Sequence, residues 1–320
     1  MRNENDWVTV RVPGSIANMG PGFDVFALAL DNPYDLLTIE SIPEKTVSLT
    51  VTGIRSETIP IDPELNTAGH VGKILLEKFD PSFGFKMAIH KGIPHSFGLG
   101  SSGADAAAAA YALNLLLGLE LSNNDLISLA AQGEIAASGV AHADNVSASV
   151  LGGFTIVRSC NPMHVLSFDP PDNLGVCIAV PEIEPPKRKT ALARKVLPEN
   201  VPLIQVTHNV GHAASLVYGM LTRDVHIIGS AMNDGIVEPV RSKFVPGYER
   251  VKGGALEGGA AGVVICGAGP SIAAFFDTNE TDPRQISERM VSGFKEAGIE
   301  SKAVLTAPGK GVERVIGART

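Results

Sequence analysis

An alternation of apolar and polar residues, typical of a half-buried strand, first appears near the amino terminus. From Val8 to Val12 the chain reads Val, Thr, Val, Arg, Val, which is the two-residue period of a strand. Pro13 and Gly14 then predict its end. Other segments rich in Val, Ile, Leu, Thr or Phe predict further strands at 35–40, 47–54, 85–90, 152–157, 175–180, 262–267 and 272–276.

Helical patterns alternate with these strands. In one of them Val71, Ile74 and Leu75 lie about one helical turn apart. Ser122 suits the amino-terminal cap of another helix, and Gly118 ends the helix before it. The segments predicted as helices are 66–79, 106–117, 122–138, 201–221, 225–233 and 283–297.

Composition indicates a globular chain. The 320 residues are 44% hydrophobic and 19% charged, which differs from the composition of disordered proteins. This length suffices for two domains of ordinary size. The mixture of strands and helices predicts an α+β fold. Because Pro162, Pro170 and Pro171 follow the first set of elements, we place the two domains at 1–160 and 161–320.

Charge and cysteine spacing narrow the classes of function. A net charge of -8 and an aromatic content of 5% do not favour nucleic acid or an anionic membrane as a partner. The three cysteines are too widely spaced for a disulfide framework or a zinc site. Glycine and proline interrupt the apolar run at 260–276, which predicts two strands around a turn rather than a membrane helix. We therefore expect a cytoplasmic protein without nucleic-acid or membrane partners. The sequence leaves the oligomeric state open, a homodimer included.

A loop rich in glycine and serine precedes the helix predicted at 106–117. Over 94–104 it reads PHSFGLGSSGA. Glycines let the backbone approach a ligand closely. The helix that follows offers unpaired N–H groups and a partial positive charge in its first turn. These features predict a site for an anion, most naturally phosphate; a tight turn without a ligand is the alternative.

Three known glycine-loop patterns fit this segment only in part. Residues 98–103 match G-x-G-x-x-G, but a dinucleotide site needs a second strand ending in an acidic residue about 20 residues later. Glu120 has that spacing but lies between two predicted helices. A protein-kinase loop needs valine where Asp105 stands, and a P-loop needs a lysine that is missing here. The loop alone therefore indicates an anion and no particular nucleotide.

One carboxylate falls on the apolar face of the helix predicted at 122–138. Glu134 follows Leu126 by eight residues and Ala130 by four, and both belong to that face. A carboxylate facing a core is unfavourable unless it is paired or binds a metal. Glu134 with a loop hydroxyl would suit an ATP-bound Mg²⁺. Pairing with a lysine, or a helix that leaves the core at this point, is the alternative.

Four further motifs accompany the loop at 94–104. They are PGSIANMGPGFD at 13–24, HADN at 142–145, EPVR at 238–241 and CGAGPS at 266–271. The loop resembles the phosphate loop, and CGAGPS the third motif, of the galactokinase, homoserine kinase, mevalonate kinase and phosphomevalonate kinase (GHMP) superfamily. The other three motifs resemble those of one branch of this superfamily, the homoserine kinases. The resemblance covers nearly the whole chain.

The resemblance implies a fold and an activity. It implies a ribosomal-protein-like amino-terminal domain with a left-handed βαβ crossover and a ferredoxin-like carboxy-terminal domain. The handedness breaks the usual rule for such crossovers. The implied reaction is the phosphorylation of the side-chain hydroxyl of L-homoserine by ATP with Mg²⁺, giving O-phospho-L-homoserine on the route to threonine.

The resemblance also implies roles for individual residues. Asn66 would lie near the adenine, and Ser102 with Glu134 would bind Mg²⁺. The residues implied around the triphosphate are Pro94, His95, Ser96, Phe97, Gly98, Leu99, Gly100, Ser101, Ser102, Gly103 and Ala104. Those implied around homoserine are Asn18, Asp24, His142, Asn145, Arg194 and Arg241, with Thr190 close by.

These roles suit the chemistry of homoserine, which carries a carboxylate, an ammonium and a primary alcohol. A planar guanidinium can hold a carboxylate with two hydrogen bonds, as the resemblance implies for Arg194 and Arg241. The carboxylate of Asp24 suits the ammonium. By spacing alone, Arg194 would be a surface residue on an exposed helix.

The hydroxyl group of homoserine must lose its proton during the transfer, and the residues suggest different acceptors for it. Mevalonate kinase and similar enzymes use an aspartate as the base, whereas the resembling position here carries Asn145. An asparagine cannot act as a general base at neutral pH. We therefore hypothesise that Asn18 orients the hydroxyl for direct transfer and that no strong base is used. Asp144 and Asp24 are the alternative bases.

Some residues depart from the family pattern. His95 and Phe97 stand where small residues are usual, and Asp105 stands where serine is usual. A negative charge suits the first turn of a helix, but Asp105 could also face the phosphates unfavourably. The basic run at 187–189 predicts a solvated turn.

Two alternative functions remain at this stage. One is another kinase of the superfamily, acting on mevalonate, shikimate or a sugar. The other is a non-catalytic ligand sensor with the same fold, which would be expected to lack groups for Mg²⁺ or substrate. Ser102, Glu134, Asn18, Asp24 and Arg241 are all present, which argues against a sensor.

Overall fold

The structure is a computed structural model that describes residues 7–139, 141–186 and 189–316. The elements up to residue 168 are β1 (Trp7–Ala17), β2 (Phe26–Ile42), β3 (Val47–Gly53), α1 (Thr67–Phe79), β4 (Gly84–Lys91), α2 (Ser101–Leu117), α3 (Asn123–Gly133), α4 (Ile135–Ser138), α5 (Asp144–Leu151), β5 (Phe154–Cys160) and β6 (Met163–Phe168). Those that follow are β7 (Leu174–Pro181), α6 (Lys189–Lys195), α7 (Leu203–Thr222), α8 (Val225–Ala231), α9 (Glu238–Arg241), α10 (Tyr248–Glu257), β8 (Gly262–Ile265), β9 (Ile272–Asp277), α11 (Pro283–Glu296), β10 (Ser301–Thr306) and β11 (Glu313–Val315).

The larger of two sheets has seven strands and is built around β2. This long strand pairs antiparallel with β1, β4 and β5. At the edges, β11 pairs with β1 and β6 with β5, both antiparallel. Only the β3–β4 pair of this sheet, within the described ranges, is parallel, and α1 connects its two strands. This is the βαβ unit for which the resemblance implies the unusual crossover.

Strand β1 continues past the point where the sequence predicted its end. It runs through Pro13 and Gly14 to Ala17, with an irregularity in its pairing to β2 between Pro13 and Ser15. Gly14 lies so close to the carbonyls of Pro33 and Leu99 that a Cβ would meet them at 3.1 and 3.2 Å. The prediction that proline and glycine stop the strand was therefore wrong, since they bend it instead.

Helix α2 forms the apolar centre of the first half of the chain. Its alanines from Ala106 to Ala110 are fully buried, and it contacts α1, α3, α5 and strands β1 and β2. A helix that is apolar on all sides is buried on all sides. The loop at 94–104 leads directly into this helix, so the core holds the carboxy-terminal end of the loop in place.

The smaller sheet has four antiparallel strands in the order β10-β7-β9-β8. A second core cluster packs between this sheet and helices α10 and α11 and includes Tyr248, Val251, Ile286 and Phe294. A βαββαβ arrangement of this kind is ferredoxin-like. The apolar run at 260–276 forms β8 and β9, so its prediction as two strands is confirmed, as is the α+β class.

The division of the chain between the two sheets does not follow residue 160 strictly. Strands β6 and β11 come after that residue and belong to the larger sheet. The domain bounds 1–160 and 161–320 stay predictions. In the described part of the chain, no helix combines the length and apolarity that crossing a membrane requires.

Candidate active site

The loop at 94–104 lies between the end of β4 and the start of α2. Gly100 caps the helix in a left-handed conformation, with φ of 70°. Gly98 is also left-handed, and a Cβ there would lie 2.1 Å from the carbonyl oxygen of Cys266. Only glycine fits this position. The predicted phosphate loop and the third glycine-rich motif are therefore in direct contact.

A buried ion cluster lies under this loop. The ammonium of Lys91 donates hydrogen bonds to Asp35 and, at 2.8 Å, to both carboxylate oxygens of Asp105. Asp35 in turn accepts hydrogen bonds from the backbone N–H groups of Gly92 and Ile93 at 2.7 and 2.8 Å. Burial acts to lower the pKa of Lys91, but the two carboxylates outweigh it and the pKa is raised. The carboxylate of Asp105 is thus paired with Lys91.

The predicted magnesium ligands lie together at the start of α2. The Ser102 hydroxyl donates to the Glu134 carboxylate at 3.3 Å. Glu134 stands where α3 gives way to α4 and is buried. Burial raises the pKa of its carboxyl to about 7, and the nearby charges of Asp144 and Asp105 add to this effect. Because Glu134 is buried, the alternative in which the helix leaves the core at this point does not hold.

The side-chain amide of Asn66 caps the amino terminus of α1. Its side-chain oxygen accepts from the N–H groups of Ala68 and Gly69, and its side-chain nitrogen donates to the carbonyl of Pro60 at 2.8 Å. The next residue, Thr67, donates its hydroxyl to the Ser102 carbonyl at 2.9 Å. The first turn of α1 is therefore fixed to the first turn of α2.

The first motif forms a tight turn with strained backbone. Asn18, Met19 and Asp24 are left-handed, with φ of 73°, 50° and 58°, a region that few residues other than glycine adopt. The Asn18 side chain bridges this turn to the third motif. It accepts from the Asp24 N–H and donates to the Gly267 carbonyl, both at 3.1 Å. Strain of this kind is common at functional sites.

Two arginines lie beside this turn. Arg194 donates to the Asp24 carboxylate at 2.5 Å and to the His142 ring at 3.1 Å. Arg241 donates to the Gly267 carbonyl at 3.1 Å. Both guanidinium groups lie over the Phe23 ring, at 5.5 and 5.0 Å from its centre. The geometry thus brings together Phe23 and Arg241, which are 218 positions apart in the chain.

Two further predicted residues begin α5. Asn145 accepts a hydrogen bond from the Ser15 hydroxyl at 2.9 Å, and its N–H donates to the Asp144 carboxylate at 2.9 Å. Asp144 is buried, and this burial, with the nearby charge of Asp24, raises its pKa to about 6. The pKa of His142 is lowered, first by burial and then by Arg194.

One cavity of about 900 Å³ connects the loop, the predicted magnesium ligands and the groups around Asp24. Every residue implied for homoserine or Mg²⁺ lines it, as does Asn66. The predicted loop residues that line it are His95, Ser96, Gly98, Gly100, Ser101 and Ser102. The remaining loop residues, which are not among its lining, are Pro94, Phe97, Leu99, Gly103 and Ala104. Their roles, like those of the lining residues, stay predictions.

Sequence reasoning missed several residues of this cavity. Arg55 binds both oxygens of Glu184 at 2.8 Å, and both line the cavity. The prediction of a solvated turn at 187–189 was wrong for Lys189, whose ammonium donates to the Gly269 carbonyl within the third motif. Lys187 and Arg188 lie outside the described residues. No local pattern could have shown these contacts, because each partner comes from a distant part of the chain.

Both halves of the chain are similar to known proteins. The family model for the amino-terminal domain of GHMP kinases matches residues 66–153, and the model for their carboxy-terminal domain matches residues 216–296. The homoserine kinase of Halorubrum lacusprofundi is 41% identical over 304 residues, which is 95% of this chain and 98% of that protein. The homoserine kinase of Natronomonas pharaonis is 42% identical over 306 residues, with coverages of 96% and 99%.

A solved structure shows the same relationship in three dimensions. The crystal structure of homoserine kinase from Cytophaga hutchinsonii matches with a TM-score of 0.90 at 36% identity and covers 98% of this chain and 99% of its own. The family models and the similarity over nearly the whole chain agree with the fold, and the chain belongs to the homoserine kinase family of the GHMP kinases.

Proposed function

We propose that this protein is a homoserine kinase, which transfers the γ-phosphoryl group of ATP to the side-chain hydroxyl of L-homoserine. The products are ADP and O-phospho-L-homoserine, an intermediate on the route to threonine. One observation carries the proposal. In a single cavity, the glycine-rich loop at 94–104 faces a pocket where Arg194 and Arg241 lie beside Asp24.

The loop and the first turn of α2 bind the triphosphate in this proposal. The first N–H groups of a helix have no partner within the helix and carry a partial positive charge. Ser101 and Ser102 add hydroxyl groups at the same place. Phosphoryl transfer depends mainly on positioning and on neutralising charge, so a rigid loop of this kind is well suited to it.

Ser102 and Glu134 fit a magnesium ion. Their oxygens lie 3.3 Å apart, and Mg²⁺ prefers one or two carboxylates together with water and phosphate oxygens. In the described residues no group of three or more His, Cys, Asp and Glu side chains comes together as a metal site, so phosphate oxygens and water would complete the coordination. The ion, when bound, would neutralise charge on the phosphates.

The pocket beside Phe23 suits the amino acid. Asp24 and Arg194 form an ion pair at 2.5 Å, and a zwitterion can bind such a pair by presenting its ammonium to the carboxylate and its own carboxylate to the arginine. Arg241 is buried and adds a second guanidinium. Asn18 lies between this pair and Gly267, so it is positioned to orient the hydroxyl toward the loop.

A panel of acceptors tests the proposal. We expect purified protein with ATP and Mg²⁺ to turn over L-homoserine at least about 100-fold more efficiently than mevalonate, shikimate or galactose, because only homoserine satisfies both the arginines and Asp24. The measurement is coupled ADP formation at matched concentrations. A clear preference for mevalonate, shikimate or the sugar would assign another kinase activity, and ATP binding without turnover of any acceptor would favour a sensor.

Replacing the candidate base Asp144 by asparagine is expected to change kcat by less than about tenfold, since direct transfer of the hydroxyl proton to the phosphate needs no aspartate. The same result is expected for Asp24→Asn in kcat, although the KM for homoserine should rise with the loss of the ammonium partner. Steady-state kinetics of both variants give the answer. A fall of about 1,000-fold in kcat with unchanged KM would identify that aspartate as the base.

A further inference from the structure

The proposed site leaves one electrostatic requirement open. The loop at 94–104 has no lysine or arginine, yet charge on the terminal phosphate must be stabilised during transfer. Arg194 and Arg241 lie on the acceptor side, next to Phe23 and Asp24. Lys91 is held in the buried ion cluster. A side-chain cation at the junction between the loop and the acceptor pocket would add to the neutralisation that Mg²⁺ would supply.

Lys189 lies at that junction. It is the first described residue of α6, and its ammonium donates to the carbonyl of Gly269. The same carbonyl oxygen touches the phosphate loop, because a Cβ on Gly98 would lie only 2.8 Å from it. The ammonium therefore bonds to an atom that is already in contact with the predicted phosphate site. Lys189 and Gly98 both line the cavity.

The acceptor groups reach the same glycine-rich segment from the other side. Asn18 and Arg241 both donate to the carbonyl of Gly267 at 3.1 Å, two residues before the carbonyl that Lys189 binds. The segment from Gly267 to Gly269 thus has the acceptor groups at one end and the ammonium of Lys189 with Gly98 at the other. A phosphoryl group moving between the loop and the acceptor passes beside it.

The charge of Lys189 is not balanced by a carboxylate in the described part of the chain, where no ion pair includes it. Burial lowers its pKa to about 7; the Cys266 thiol acts in the opposite direction, and Arg241 lowers the pKa further. His95 faces the same region, and its own pKa is lowered by burial and by the charges of Lys91, Lys189 and Arg55. An anion bound beside Lys189 would favour the charged form of this lysine.

We propose that Lys189 is a further catalytic residue, whose ammonium leaves the Gly269 carbonyl and binds the terminal phosphate of ATP during transfer. This inference rests on the proposed kinase function. In the reaction, the bond from the γ-phosphorus to the β–γ bridging oxygen breaks, and a bond to the acceptor hydroxyl oxygen forms. The hydroxyl proton passes to an oxygen of the transferred phosphoryl group. Lys189 keeps its proton throughout and only neutralises charge.

Three variants test the role of Lys189. Lys189→Met keeps much of the side-chain volume and removes the charge, Lys189→Arg restores a charge, and Lys195→Met is a matched control at an exposed position of the same helix. We expect Lys189→Met to lower kcat about 100-fold, as for the loss of one preorganised donor to a transition state. Lys189→Arg should recover roughly tenfold of that loss, and Lys195→Met should stay within about twofold of the unmodified protein.

Nucleotide binding separates contact with the phosphate from a merely structural role. With Mg²⁺ and without homoserine, Lys189→Met should weaken AMP-PNP binding about tenfold and leave ADP binding within about twofold, because only AMP-PNP has a γ-phosphate. Its melting temperature and its KM for homoserine should be unchanged. Isothermal titration calorimetry and thermal unfolding provide these values.

Several outcomes would overturn the assignment of Lys189. These are a kcat of Lys189→Met within threefold of the unmodified protein, equal weakening of ADP and AMP-PNP, or a loss of activity that follows a drop in melting temperature. The ratio of AMP-PNP to ADP affinity is measured without an acceptor. It therefore tests Lys189 even if the unmodified protein does not phosphorylate homoserine, a failure that would remove the proposed function instead.

Discussion

Replacing Lys91 by methionine is expected to lower the free energy of unfolding by roughly 3–5 kcal/mol, the usual range when one partner of a buried ion pair is removed. The ammonium lies between Asp35 and Asp105, and all three residues are at most 4% exposed. Without it, two carboxylates would remain in the core without their cation. The loss should also loosen the loop at 94–104, because Asp35 holds the N–H groups of Gly92 and Ile93.

Urea denaturation followed by circular dichroism measures this loss. Lys86→Met is the matched control, since Lys86 lies on the same strand β4 with an exposed side chain; it should change stability by less than about 0.5 kcal/mol. Asp105→Asn leaves the Lys91–Asp35 pair intact and should therefore cost less than Lys91→Met. A loss below 1 kcal/mol for Lys91→Met would show that the cluster does not hold the loop.

The elements that sequence predicted well were those with a strong period and clear end signals. The helix over Thr67–Phe79 followed from the spacing of its apolar residues, and the cap at Ser122 followed from cap chemistry. The cap at Asn66 was not predicted. Helix α5 (Asp144–Leu151) was missed because aspartate, asparagine, serine and valine have low helix propensity. Its stability comes from contacts with β1, β2 and α2, which a local pattern does not contain.

The same limit applies to the site. The glycine-rich loop and the carboxylate of Glu134 on an apolar stripe were visible along the chain, because each depends on local spacing. Contacts between distant segments were not, such as Arg194 with Asp24 or Lys189 with Gly269. Spacing alone predicted that Arg194 lies on the surface, because helix α6 has no buried residues. Only the docking of α6 against the first motif gives the residue its partner.

Glu134→Gln is expected to change activity and stability in opposite directions. Loss of the charged oxygen proposed to bind Mg²⁺ should lower kcat/KM for ATP by about 100- to 1,000-fold. In the metal-free protein the same charge is unfavourable, because burial raises the pKa of Glu134 from 4.5 to about 7. The folded state then holds this proton more tightly than the unfolded state does, so rising pH between those two values lowers the stability of the protein.

Glutamine cannot ionise, so Glu134→Gln does not undergo this loss of stability as the pH rises. In EDTA at pH 8.5 its free energy of unfolding should exceed that of the unmodified protein by roughly 1–3 kcal/mol, whereas at pH 4.5 the difference should nearly vanish. Urea denaturation at the two pH values measures both differences.

Glu77→Gln, at an exposed position of α1, should alter neither activity nor the pH dependence of stability. A variant that loses activity and is also less stable at pH 8.5 would mean that Glu134 supports the fold rather than the metal. A gain in stability together with lost activity would instead mark Glu134 as a group kept for function, because a carboxylate buried at this point between α3 and α4 destabilises the metal-free fold.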